Sequence, residues 1–277
     1  MKKFFLVSAF LLISLSMQSQ VLIALLLGNT LNTGKIEFGL DGGWNYAQIS
    51  NMDSNSWYRK WNLGFYFDIK MKDQWYLNTG VLAKAEHGLD NLTAIDLEKL
   101  GAYIYTNPDG SDTKGAYSQS ISYFIVPALA KYKFDNHMYL EIGPQFALMH
   151  SAYIGFESND IDGIEVKAQE DNKDMIQRMD VGFSAGAGYR LLKGLGWTLG
   201  ARYYYGLVDV YKDIPGKKNS AFYLKVMVPI GLSDDKKAQA QVIKDAKKEK
   251  KATRKKAKKE AKAAEKEAEG KAPVEKN

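Results

Sequence analysis

His150 and Ser151 stand side by side near the outer end of an extended apolar stretch, and a serine with a histidine base is the pair a lipid A deacylase uses. That chemistry needs both groups within hydrogen-bond reach. Neighbours on a strand point to opposite faces, so this pair shares a site only where the strand ends or bulges. The expectation is a histidine on a polar rim. The other histidines, His87 and His137, are expected at opposite ends of the fold, and no two histidines have metal-ligand spacing. Ser158-Asn159-Asp160-Ile161-Asp162-Gly163 partly mimics a calcium loop, but Ser158 would be its first ligand and Gln169 stands where a bidentate glutamate belongs. An ordinary acidic turn fits better. With no Cys in 277 residues, a disulfide framework, a thiolate zinc site, a Cys nucleophile and a lipoprotein anchor are all excluded. No catalytic residue, cofactor or metal is expected.

A second set of chemistry-bearing residues is ionised and recurs at every other position of apolar stretches. Trp61, Leu63, Phe65, Phe67, Ile69 and Met71 fall on one parity, while Lys60, Asn62, Gly64, Tyr66, Asp68 and Lys70 fall on the other. Period two is the mark of a strand with two different faces. The same sorting returns within 36–46, 75–84, 120–134, 140–148, 180–190, 199–206 and 222–231, which makes eight strands. Thr93-Ala94-Ile95-Asp96, followed by Leu97 and Leu100, predicts a short capped helix in the long connection after the third strand. Tyr103, Tyr105 and Tyr117 accompany it as candidate partner-binding residues, with a plain surface lid as the alternative.

Connections alternate long and short. Ser50–Trp57, Gly88–Ala116, Gly155–Arg178 and Val210–Ser220 are long, while Lys72-Asp73, Asp135-Asn136 and Leu192-Lys193-Gly194 are tight. An up-and-down barrel with its long loops at one end has this arrangement. The polar parity holds both signs: Glu37, Asp41, Asp68, Glu141 and Asp180 with Lys60, Lys70, Lys84, Arg190, Arg202 and Lys225, alongside Glu86 and Lys131. Mixed charge suits a hydrogen-bonded filling of a narrow lumen better than a cup for an apolar ligand. The inward glycines Gly182, Gly186 and Gly188 read as space beneath tyrosines such as Tyr66 or Tyr204. The apolar parity, with aromatics near strand ends, then faces lipid. The fold expected is all-β: an eight-stranded antiparallel up-and-down transmembrane β-barrel with a C-terminal basic tail, helical or disordered.

Charge separates the chain further. The net charge is +6, but 233–277 holds 16 Lys and Arg against 9 Asp and Glu, leaving 22 basic and 23 acidic residues before it. The basicity belongs to the tail. Lys2 and Lys3, the apolar run Phe4–Leu15 and the small or polar Ser16–Gln20 read as a secretory signal over residues 1–20, with an N-terminal anchor as the alternative. Residues 21–34 begin with a short apolar segment, 35–232 form the barrel, and 233–277 are a Lys/Ala/Glu-rich periplasmic tail. Export removes nucleic acid as a partner for that tail. Anionic lipid, peptidoglycan and an acidic periplasmic protein are its candidate contacts.

Phrases such as Lys35-Ile36-Glu37-Phe38-Gly39-Leu40-Asp41-Gly42-Gly43, Tyr139-Leu140-Glu141-Ile142-Gly143-Pro144-Gln145 and Ala201-Arg202-Tyr203-Tyr204-Tyr205-Gly206-Leu207 resemble the small outer-membrane β-barrel proteins of Bacteroidetes, the "porin family" or PorT-like group. The resemblance covers residues 21–232 and implies an OmpX-like barrel in the outer membrane with short periplasmic turns. The expected function is non-enzymatic, in envelope structure or partner binding, with outer-membrane lipid around a monomer. The alternatives are a lipid A-modifying enzyme and a narrow transport or secretion accessory.

Overall fold

The computed structural model describes residues 35–106, 113–161 and 164–230, together with 238–239, 241–243, 245–246, 248–250 and 253. The expected signal and the apolar segment after it lie outside these residues. The chain divides into two compact units, 1–232 and 233–277. The described residues of the second unit are helical, in keeping with a composition of Ala, Lys and Glu without an interior Gly or Pro.

The first unit is built of antiparallel strands β1 (Ile36–Ile49), β2 (Ser56–Lys72), β3 (Trp75–Asp90), β4 (Ala116–Lys133), β5 (Met138–Ile161), β6 (Ile164–Asp171), β7 (Met179–Arg190), β8 (Thr198–Asp209) and β9 (Lys218–Pro229). Each of the eight ring strands pairs with its neighbours, and β9 pairs with β1, so the sheet closes. Closure removes every edge within the membrane-spanning wall, which is the condition for a sheet to sit in hydrocarbon. The eight expected strands form the ring. The ninth, β6, is an addition: it folds back on the outer part of β5 from Tyr153↔Asp171 to Ile161↔Ile164. The stretch Gly155–Arg178 expected to be a loop is therefore mostly a hairpin.

Burial runs opposite to that of a protein surrounded by water. Ile142 is 62% exposed and Trp44 59%, whereas Arg202 is 2%, Lys225 3% and Asp41 3% exposed. Leaving such apolar area in water would forfeit the main driving force of folding, so the exposed wall is made to be covered by something apolar. Lipid does this for a barrel whose outward side chains run in a continuous apolar band. No helix among the described residues is long and apolar enough to cross a membrane. The strands do the crossing.

Toward the long-loop end the inside changes character. A cluster of buried apolar residues including Tyr58, Leu82, Leu89, Ile121, Ile125, Tyr204 and Tyr211 fills the upper barrel and continues into a cap with Leu97, Leu100, Phe156 and Ile176. The cap holds helix α1 (Ala94–Lys99), formed as the sequence predicts, with Thr93 as N-cap and Asp96 completing the capping box.

Asp96 does more than cap. Its carboxylate is buried and accepts the backbone N–H groups of Asp53 and Ser54, each at 2.8 Å, which fastens the β1–β2 loop to α1. Burial pushes this carboxyl up, but the N–H donors of Asp53, Ser54 and Thr93 outweigh it and hold the group below its ordinary value. The pinning is therefore complete above the ordinary carboxylate range and is lost as pH falls through the lowered value. Hydrogen-exchange protection of the Asp53 and Ser54 amides should be high at neutral pH and collapse only in strong acid. In Asp96→Asn it should be reduced at neutral pH and lack the acid step. Equal protection in both proteins would remove this role from Asp96.

Candidate functional site

The lower half of the lumen, toward the tight turns, is a cross-linked block of charge. Asp68 faces Lys131 at 3.0 Å and Lys133 at 2.7 Å and accepts the Asn78 amide at 2.7 Å. Asn78 in turn accepts from Arg202 at 3.0 Å, and Arg202 holds Glu141 at 2.7 Å. Lys225 pairs with Asp41 at 2.8 Å, and Arg190 pairs with Glu37 at 2.6 Å. Tyr66 donates its hydroxyl to Glu37 at 2.9 Å, and the Lys131 ammonium lies 4.2 Å from the centre of the Tyr139 ring. Charges this deep persist only when paired and hydrogen-bonded. Here each of these carboxylates meets at least one cation, and the block draws a side chain from every ring strand from β1 to β9.

Room for this filling comes from glycine. A Cβ at Gly182 would meet the Tyr204 ring, one at Gly188 the Tyr139 ring, and one at Gly39 the Tyr66 ring. The large inward tyrosines lie flat over strand positions that carry no side chain, as the expected use of Gly182 and Gly188 requires. The carboxylate of Glu141 occupies the same kind of space beside Gly186.

Above this block is a polar layer held by hydrogen bonds, without an ion pair among the described residues. Gln145 accepts from Ser184 at 2.9 Å, Asn219 donates to Asp180 at 2.9 Å, and His87 Nε2 lies 2.6 Å from the Tyr223 hydroxyl. His87 is wholly buried among the rings of Tyr123, Tyr204 and Tyr223. It is a core histidine, remote from His137 in the turn before β5.

The charged positions read from the sequence thus separate. Glu37, Asp41, Asp68, Glu141, Arg190, Arg202 and Lys225 come together in the ion-paired block. Asp180 lies in the layer above, beside Asn219. Three lysines stand apart and correct the expected set. Lys60 keeps the inward parity but lies 5.0 Å from the Tyr58 ring centre and makes no ion pair among the described residues. Lys70 has the inward parity but is exposed at the mouth. Lys84 is turned outward, its ammonium 4.1 Å from the centre of the Trp61 ring, because a bulge between Leu82 and Ala85 reverses the parity of β3. Lys133 and Asn78, which complete the block, were absent from the expected set. Asn78 carried the signal, since it lies on the inward parity of β3 opposite Asp68.

The candidate catalytic pair does not assemble. A bulge at His150 and Ser151, opposite Ser122 and Tyr123, moves the inward parity from Met149 to Ala152. His150 faces out against the Phe124 ring, 4.7 Å between centres, and no hydrogen bond joins it to Ser151. The calcium-like stretch begins in a ladder: Ser158 pairs with Val166 and donates its hydroxyl to the Lys114 carbonyl at 2.6 Å, while Gln169 pairs with Gly155. A hairpin ladder cannot wrap a cation as a calcium loop does. The side chains of 159–163 lie outside the described residues. No group of three or more His, Asp or Glu able to hold a metal occurs among the described residues.

Solved structures similar to the chain include Ail, the attachment invasion locus protein of Yersinia pestis, crystallised with the heparin analogue sucrose octasulfate, at 13% identity over 71% of this chain and 99% of that one, TM-score 0.38. Neisserial surface protein A follows at 12% identity over 69% and 96%, TM-score 0.36. OprG of Pseudomonas aeruginosa matches at 11% identity over 70% and 93%, TM-score 0.32. No curated protein matches the chain. The family model described as "Outer membrane protein beta-barrel domain" matches residues 18–212, and the chain belongs to that outer-membrane β-barrel family.

Proposed function

We propose that this protein is a non-enzymatic, monomeric barrel that keeps its lumen shut, presents the cap of α1 and β6 outside the cell and holds its basic tail in the periplasm. The observation that carries this reading is the ion-paired block: Asp68, Lys131, Glu141 and Arg202 occupy the width of an eight-stranded ring, whose interior is just wide enough for side chains to fill it. A filled lumen makes the protein a wall-bound display and contact module rather than a pore. The orientation follows from the tight turns at one end, which in bacterial outer-membrane barrels face the periplasm. The phrases shared with the Bacteroidetes porin-like group support an origin there, and the PorT-like association with secretion stays the second reading.

The tail, with its excess of lysine, suits an anionic contact such as peptidoglycan or inner-leaflet lipid. Cells expressing the full chain and a chain stopped at Leu232 should both show the protein in the outer-membrane fraction with faster gel mobility unboiled than boiled. Only the full chain should co-pellet with purified peptidoglycan or bind anionic vesicles. A soluble periplasmic protein with unchanged mobility would overturn the barrel assignment, and equal pelleting of both chains would overturn the role of the tail.

A further inference from the structure

The outward face of β2 and β3 breaks the apolar pattern on either side of Trp61, at Arg59 two residues further out on β2 and at Lys84, the cross-strand partner of Leu63. Arg59 and Lys84 are both exposed there, and neither forms an ion pair among the described residues. They flank Trp61, whose ring carries the Lys84 ammonium. Trp44 is the cross-strand partner of Trp61, and Tyr46 that of Arg59. Asp90, at the end of β3, feels the charges of Lys60, Arg59 and Glu157 but forms no ion pair with Arg59 or Lys84 among the described residues. Lys84 lies nine residues beyond Trp75, the first residue of β3. At about 3.3 Å per residue and a tilt of about 40°, that is about 23 Å of height, beside an apolar band about 25 Å tall. Lys84 therefore sits where hydrocarbon gives way to headgroups, and Arg59, four residues beyond the cross-strand partner of Lys84, lies on the headgroup side of that boundary.

The position of Lys84 is built, not incidental. Without the bulge its side chain would point into the lumen at the level of Leu82, Ile125 and Tyr123, an apolar layer with no carboxylate to pair it. The bulge places it on the lipid side and the Trp61 ring fixes its ammonium there. Holding a charge on a lipid wall is costly unless it meets a counter-charge or water at the interface. The chemistry that two unpaired cations and an indole face recognise in this zone is a phosphate on a lipid headgroup, whose tails lie along Trp44 and Trp61.

We infer that Arg59, Lys84 and Trp61 form a binding site for the phosphate of a lipid in the leaflet at the long-loop end. This deepens the proposed function and rests on its membrane reading. The site makes the barrel selective for anionic lipid on one side of its circumference and fixes its depth in the leaflet there.

The test is refolding of the full chain into nanodiscs of phosphatidylcholine containing a minor fraction of phosphatidylglycerol, followed by release and native mass spectrometry of retained lipid. Wild type should retain phosphatidylglycerol in preference to phosphatidylcholine. Arg59→Gln and Lys84→Gln should each reduce that preference by about five-fold, and the double variant by about twenty-five-fold, as one interfacial cation is worth about 1 kcal/mol. Lys99→Gln on the cap helix should leave the preference unchanged. No preference in wild type, or an undiminished preference in the double variant, overturns the site. Heat-modifiable mobility measured on the same samples reports insertion separately, so loss of the site and loss of the membrane reading are told apart.

Discussion

Ile142→Arg should destabilise the inserted barrel by about 2–4 kcal/mol, while the same change at Ile95 should leave it intact. The two isoleucines are comparably exposed, at 62% and 51%. Ile142 lies within the β5 wall, paired with Ala130 on one side and Ala185 on the other. Ile95 lies on α1 in the cap, facing water in the proposed orientation. Were both surrounded by water, each change would stay within about 0.5 kcal/mol, as surface substitutions away from special features do. Facing lipid, an arginine near the midplane costs about 2–4 kcal/mol. Urea titration of the chain refolded in vesicles should show this loss for Ile142→Arg, and the unboiled fast-migrating band should weaken in cells. Indifference at both positions would return the fold to a soluble barrel with an unexplained apolar exterior.

That experiment bears on the feature most legible in the sequence. Within the membrane wall the strands could be read because lipid and a charged lumen impose opposite demands on alternate residues, so Phe65, Phe67 and Ile69 separate from Tyr66, Asp68 and Lys70 without ambiguity. The pattern failed where the surroundings change. Two bulges flank Tyr123 of β4, one between Leu82 and Ala85 of β3 and one at His150 and Ser151 of β5. Below them the apolar side chains of β5 point outward, as Phe146 and Leu148 do. Above them Ala152, Ile154 and Phe156 are buried within the cap. Each bulge shifts the alternation by one residue at the height where the outside turns from hydrocarbon to water, so a reading with one fixed parity ends strand five at Leu148 and assigns Lys84 to the wrong face.

The same inversion hid β6. Ile164, Val166 and Ala168 alternate with Glu165, Lys167 and Gln169, which is a fair strand signal. It lies beyond Leu148, where a reading of one fixed parity ends the strand. The charged filling was only partly legible for a different reason. Parity identifies which side chains enter the lumen, but it does not say which of them meet, and Lys133 and Asn78 join the block through contacts set by the stagger of the closed ring.

Those contacts give the second large effect. Arg202→Met removes the partner that holds Glu141 at 2.7 Å and leaves that buried carboxylate with Lys131 at 4.0 Å. It also frees the Asn78 oxygen that Arg202 had bonded. Breaking a buried pair from one side costs about 3–5 kcal/mol, because the remaining charge is still desolvated. The variant should therefore lose about that much stability in vesicles, whereas the double variant Arg202→Met with Glu141→Gln should recover most of it, since no charge is then stranded. The cycle separates a stranded charge from lost packing: if the double variant is as unstable as the single one, bulk and not ion pairing holds the lower lumen. Conductance reads the same block as a barrier. Planar bilayers with wild-type protein should carry no channel current, and Arg202→Ala, which empties the centre of the block, should introduce one. A steady current through wild type would mean that ions already pass between Asp68, Glu141 and their lysines, and the reading of a shut lumen would give way to that of a narrow transport accessory.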